Sequence, residues 1–256
     1  VAKEEQPGVE FKNVSLTYSG SGAPSVEGIN FKAMKGQTIG VIVGTGSGKS
    51  SLVNLIPRLY DATQGEVLVD GVNVKDYDIE ALRNKVGIVM QKAVLFKGTI
   101  RENMWMGKKG ATDEQIDEAL EISQSKEFVD SKQGRLDYVI EQGGKNLSGG
   151  QRQRLTIARA IVRKPDVLIL DDSASALDFA TDAALRKAIR GMNNSPTVFI
   201  VSQRAASLMY ADLIIVLDDG QVAGMGTHDE LLANCEVYKE IYESQFKKAD
   251  SEGGVA

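Results

Sequence analysis

Cysteine is almost missing from this sequence. Cys235 is the only one among 256 residues, which excludes an internal disulfide and a thiolate metal cage and fits a reducing, cytosolic setting. No run of apolar residues approaches the ~18 needed to span a bilayer, and the opening Lys3, Glu4 and Glu5 carry no signal-peptide core. Any membrane role is therefore expected to come through a partner or a segment outside this sequence. Basic excess is missing too: 30 Lys and Arg against 35 Asp and Glu leave a net charge of -5. A general nucleic-acid binder would need a basic footprint, so no nucleic-acid partner is expected. Histidine occurs once, at His228, where Thr227 and Glu230 have capping-box spacing. It reads as a polar residue at a helix start rather than a group that does chemistry.

What is present is organised around Val167, Leu168, Ile169, Leu170, Asp171 and Asp172. Four apolar residues ending in two carboxylates read as a buried parallel strand that delivers charge at its C-terminal end, where open α/β sheets place their ligands. A second strand-like run, Thr38 to Val43, leads into Gly44, Thr45, Gly46, Ser47, Gly48, Lys49 and Ser50. In such a loop successive backbone N–H groups surround phosphates, the lysine reaches the outer phosphates, and the Ser50 hydroxyl helps hold Mg²⁺. Strand, phosphate loop and acidic strand end together point to a nucleotide triphosphatase. Asp171 suits a carboxylate that orients Mg²⁺ through its water shell. Asp172 is the candidate base or water-positioner, with a helix N-cap or salt-bridge carboxylate as the alternative for either acid. The loop departs from its usual pattern at Val43, where glycine is expected. A β-branched residue tolerates positive φ badly, so the start of the loop should be rearranged or less strained, with a bearing on nucleotide affinity.

Along the chain, residues 9–18 alternate and a Gly/Ser/Pro turn at 19–25 precedes Ile29 and Phe31, which predicts an antiparallel β layer. Lys49 to Tyr60 reads as a helix with Leu52, Val53, Leu55 and Ile56 on its core face, and Val86 to Met90 as a strand ending at Gln91. From about Lys92 to Gln151 the texture turns polar and patchily helical, broken by Gly107, Gly110, Gly134 and the Gly143-Gly144 pair. Helices are predicted over 112–123, 150–163 and 180–190, and strands over 197–202 and 213–217. The expected division is 1–91 with 160–246 as an α/β core, 92–159 as an inserted helical lobe and 247–256 as a flexible tail.

Leu147 to Arg154, LSGGQRQR, narrows the class. Ser148, Gly149 and Gly150 open a helix and form a second anion-binding helix end, and the whole block is far more specific than a lone Ser-Gly-Gly. Here the chain resembles the nucleotide-binding domain of an ATP-binding cassette transporter of the exporter type, over about Val9 to Phe246. The resemblance implies an α/β fold with a RecA-like P-loop NTPase core, an N-terminal antiparallel β layer and an inserted helical subdomain. It implies ATP and Mg²⁺, with Ser51 beside the loop residues among those that bind nucleotide. Two such domains sandwich two ATP molecules, each site joining one domain's phosphate loop to the other's Ser148, Gly149, Gly150 and Gln151. By the same resemblance Tyr18 stacks on adenine, Gln91 senses Mg²⁺ and attacking water, and Asp178 faces the partner. A transmembrane domain, fused N-terminally, is implied as a further partner, docking near Leu95 and Phe96 and placing the chain at the cytoplasmic face of the cell membrane. Bottom-up, Tyr18 is as readily a core aromatic and Gln91 an exposed polar residue.

Two departures carry more information than the matches. Asp172 stands where the family has Glu, and Gln203 where it has the His that contacts the γ-phosphate. Positioning carries most of phosphoryl transfer, so this chain's own site is expected to be slow while its signature block is intact. That combination resembles the degenerate half of a heterodimeric exporter. A fully active homodimeric ATPase, a regulatory module that never hydrolyses ATP, and a cassette ATPase of DNA repair or translation are the rivals.

Overall fold

The computed structural model describes residues 5–44, 46, 48–92 and 94–252, with side chains to residue 248. These fall into two compact units, one built from residues up to Val86 and from Thr197 onward, the other spanning Gly87–Pro196.

The first unit opens with β1 (Val9–Leu16), β2 (Val26–Ala33), β3 (Thr38–Val43), α1 (Lys49–Asn54), β4 (Gln64–Val69), β5 (Val72–Asn73) and α2 (Ile79–Lys85). The chain leaves it along β6 (Val86–Val89). The second unit continues with β7 (Gly98–Thr99), α3 (Ile100–Trp105), α4 (Asp113–Ile122), α5 (Lys126–Asp130), β8 (Val139–Ile140), α6 (Gly149–Ile161), β9 (Val167–Asp171) and α7 (Phe179–Arg190). The first unit then closes with β10 (Thr197–Val201), β11 (Leu213–Asp218), β12 (Gln221–Gly226), α8 (His228–Asn234) and α9 (Glu236–Glu252).

In the first unit, the predicted β layer is an antiparallel sheet in the order β2-β1-β4-β5. Phe11 pairs with Phe31 across β1 and β2, and their rings stack at 4.5 Å, so the alternation of β1 buries one aromatic face. Beside it lies a mixed sheet in which β3 runs parallel to both β10 and β11, and β11 is antiparallel to β12. Flanked on both sides, β3 buries Ile39, Val41 and Ile42 completely, which is why its sequence is a continuous apolar run rather than an alternation. Phe31 meets Phe199 edge-on at 6.1 Å and so ties the layer to the mixed sheet.

The helix predicted over Lys49 to Tyr60 is shorter. Regular α-helix stops at Asn54, where Leu55 and Ile56 donate to Leu52 and Val53. Pro57 disfavours helix in the residue before it and removes a donor, so the chain tightens and turns. All four predicted core residues, Leu52, Val53, Leu55 and Ile56, are nonetheless buried.

Helix α9 packs on this unit through one cluster that joins Tyr238 and Cys235 to Ile42, Ala205, Leu208, Ile214, Val216 and Leu231. It continues as helix to Glu252, past the point at 247 where a flexible tail was expected to begin. His228 is buried at the start of α8, and its Nδ1 lies 2.6 Å from the hydroxyl of the fully buried Tyr238. Burial, with help from Tyr242 and Asp229, pushes the Tyr238 phenol up to about 12, so the hydroxyl stays protonated. Tyr238→Phe strands the buried imidazole nitrogen and is expected to cost about 1–3 kcal/mol, measured as a lower urea midpoint with unchanged m.

In the second unit, capping boxes start three helices: Thr99 with Glu102, Thr112 with Gln115, and Ser148 with Gln151. They explain why the helices of the polar segment begin where they do. Helix α4 turns Ile116, Ala119 and Leu120 inward and packs on α6. Strand β9 is buried at every residue and lies next to β6.

Candidate functional site

The phosphate loop borders a cavity of ≈ 600 Å³ inside the first unit, lined by Val43, Gly44, Gly46, Gly48, Lys49, Ser50, Ser51, Gln203, Ile241, Ser244 and Gln245. Two of its glycines are required by geometry. Gly48 has φ 141° and a Cβ there would lie 2.7 Å from the Ser25 carbonyl oxygen; a Cβ on Gly44 would meet the Val237 side chain at 2.6 Å. Replacing either with a larger residue would close the cavity or push the backbone out of it. Val43 resolves its conflict with the pattern simply: it is the last strand residue of β3, in register with Leu217, and the Gly44 amide donates to the Leu217 carbonyl at 2.7 Å. Val43 itself is extended strand, and among the described residues of the loop the left-handed region is reached at Gly46, with φ 83°. Thr45 and Ser47 lie outside the described residues.

A cavity with a lysine, three serine hydroxyls and glycine backbone along its wall fits a polyphosphate. Ser51, though, already shares its hydroxyl with Tyr18: the two oxygens are 2.7 Å apart. The Tyr18 ring also meets Tyr60 edge-on at 4.9 Å. These contacts fix the tyrosine beside the loop's helix, and the half-exposed Tyr60 is an aromatic that the sequence did not single out.

The second unit holds the other candidates. Asp171 closes β9 and is 8% exposed, while Asp172 follows it with φ 48°. A left-handed non-glycine residue after a buried strand is a strained position that short Asp tolerates better than most. Gln91 lies exposed in the turn after β6. Ser148, Gly149, Gly150 and Gln151 open α6 as expected. The Ser148 hydroxyl accepts from the Gln151 amide at 3.1 Å, and the Gln151 side chain accepts from the Ser148 amide at 3.1 Å. Gln153 then binds this helix to the following loop, donating to Ser175 Oγ at 3.1 Å and accepting from the Ala176 amide at 2.9 Å. Asp178 caps α7, accepting from the Thr181 amide at 2.7 Å. Hydrogen bonding to that cap, and then the charge of Arg154, holds its carboxyl below the usual carboxylate range. Signature helix and Asp178 loop are thus one braced element.

The profile of the ABC transporter family matches residues 26–175, more than half of the chain. The chain belongs to the ABC transporter family. This ABC domain is 43% identical over 95% of its length to the uncharacterized ABC transporter ATP-binding protein YfiB of Bacillus subtilis, and covers 42% of that protein. It is 38% identical over 94% of its length to a proposed multidrug export ATP-binding/permease protein of Staphylococcus aureus, again covering 42% of it. A solved structure of a bacterial Atm1-family ABC exporter with ATP bound superposes on the ABC domain with a TM-score of 0.87 at 32% identity, over 94% of this chain and 42% of that one. The chain therefore spans about two fifths of the length of these relatives, and its fold is the P-loop NTPase fold of an exporter's ATP-binding domain. Such domains are the ATPase part of their transporters. No helix among the described residues of the ABC domain is long and apolar enough to cross a membrane.

Within the first unit the structure brings the loop glycines, Lys49, Ser50, Ser51 and Gln203 onto one cavity. It adds Ile241, Ser244 and Gln245 from α9, none of them a candidate from the sequence.

Proposed function

We propose that this chain is the ATP-binding and ATP-hydrolysing domain of an exporter, dimerising around ATP, and that it is the catalytically weakened half of a heterodimer. The ≈ 600 Å³ cavity walled by Gly44, Gly46, Gly48, Lys49 and Ser50 carries the nucleotide-binding reading. The phosphate loop holds the polyphosphate, Tyr18 stacks on the base, and Gln203 faces the γ-phosphate. Ser50 is the first unit's candidate for holding Mg²⁺, and Asp171 and Gln91 are the second unit's, directly or through water. The cation, when bound, neutralises charge on the transferring phosphoryl group. Residues 92–159 form the lobe that offers Ser148, Gly149, Gly150 and Gln151 to the partner's nucleotide. A membrane-spanning domain preceding this chain places it at the cytoplasmic face of the membrane. This is supported by the likeness to an exporter with ATP bound and to relatives more than twice as long.

The weakened-site reading is supported by Asp172, one methylene shorter than the family's Glu, and by Gln203, an amide that can hydrogen-bond a phosphate but carries no imidazolium charge. Equilibrium binding and steady-state turnover on the same preparation test it. One ATP should bind per chain in Mg²⁺, with turnover near the uncatalysed background at every protein concentration. Brisk turnover that rises more steeply than linearly with concentration would instead make the chain a symmetric, active homodimer.

A further inference from the structure

Helix α9 does more than fill the core of the first unit. It forms one wall of the phosphate cavity through Ile241, Ser244 and Gln245, and Gln245 reaches across to the loop after β10. Its Nε2 donates to the Gln203 carbonyl at 2.7 Å, and its Oε1 accepts from the Ala205 amide at 2.9 Å. A primary amide is the one neutral side-chain head that offers a donor and an acceptor side by side, matching a carbonyl and an amide two residues apart on a turn. Neither a carboxylate nor an ammonium could make both bonds. The flanks of this turn are fixed independently. Ala205 is fully buried in the cluster around Tyr238, and the Arg204 amide donates to Ser202 Oγ at 3.0 Å. Between them the Gln203 side chain is exposed toward the cavity, so its aim depends on how its backbone is held.

We propose that Gln245 is a positioning residue: it pins the backbone of the 203–205 turn so that Gln203 meets the terminal phosphate of ATP. This rests on the reading of the cavity as the ATP site and extends it to a residue on a helix far along the chain. It makes α9 a part of the nucleotide-sensing wall, so that a change in its packing is felt at the γ-phosphate.

The test is the preference for a non-hydrolysable ATP analogue over ADP, by equilibrium titration of the chain with Mg²⁺ present. Gln203→Ala and Gln245→Ala should each weaken the analogue by about 10-fold, the size of one lost hydrogen bond, and leave ADP within about 2-fold. The double variant should be no weaker than Gln203→Ala, because the two act on one contact. Gln245→Glu keeps the size of the side chain and its bond to Ala205 but loses the donor to Gln203, and should lose the same preference. Equal weakening of both nucleotides would show that Gln245 only supports the wall, and losses that multiply, or no loss, would equally overturn the proposal. If the unsubstituted chain bound neither nucleotide, the reading of the cavity itself would fall and this role with it.

Discussion

Lys49→Ala is expected to raise the Kd for ATP by roughly 100-fold while leaving the apo protein's stability within about 0.5 kcal/mol. The lysine is half-buried at the first position of α1, on the cavity wall beside Gly48 and Ser50. An ammonium there supplies a point charge and up to three donors to a polyanion. Hydrogen bonds to charged groups contribute about 1.5–3 kcal/mol each, and one such bond to a phosphate already accounts for the predicted factor. The glycine backbone that surrounds the phosphates is untouched by the change, so binding weakens rather than vanishes. Thermal denaturation separates the two effects. At 100 times its Kd a ligand stabilises the native state by about 2.7 kcal/mol, which for a chain of this size lifts Tm by roughly 5–10 °C. The unsubstituted chain should show that lift with ATP, the Lys49→Ala chain at the same ATP concentration about a sixth of it, and the two should melt together without nucleotide. A variant that keeps the full lift would remove Lys49 from the phosphate site.

Much of this site was legible because its chemistry needs contiguous backbone. The loop from Gly44 to Ser50 and the helix start at Ser148 are local: a strand, a turn that only glycine can make and a capping box are all written in neighbouring residues. Strand β9 was readable for a similar reason, since a strand covered on both faces must be apolar throughout. The same limits explain what the pattern could not show. Asp172's left-handed backbone, φ 48°, is imposed by the turn that follows a buried strand, and Asp is common enough in turns to pass unnoticed. Gln245 stands 42 residues from Gln203; it is one polar residue on an amphipathic helix, and only the packing of α9 against the 203–205 turn gives it meaning. Val43 was legible as a departure, and the less strained of the two loop starts it allowed is the one found, because register with Leu217 keeps it extended. The early end of α1 followed from Pro57, whose effect on the residue before it outweighs the helical spacing of the apolar residues around it.

Restoring the family's residues at both departures, Asp172→Glu with Gln203→His, is expected to raise ATP turnover by on the order of 100-fold. The reasoning is geometric. A carboxylate that must hold an attacking water in line loses about a hundredfold when it is misplaced by about 1 Å, and one methylene is a displacement of that size. An imidazole at position 203 adds a donor that can carry charge where phosphate charge develops. The gain should come with a cost in stability. Asp172 has φ 48°, a conformation that suits Asp better than Glu, so the longer acid should destabilise the fold by about 1 kcal/mol. That amounts to a fall of roughly 2–4 °C in Tm. This pairing of gained rate with lost stability distinguishes a repaired site from a merely rigidified one, since trapping a better-packed protein would move both upward. The single variants refine the outcome. If Asp172→Glu alone delivers the whole gain, the shortened acid is the defect and Gln203 already serves the phosphate. If neither single nor double variant exceeds the parent, although all bind ATP, the low turnover lies outside these two positions and the degenerate-half reading is wrong.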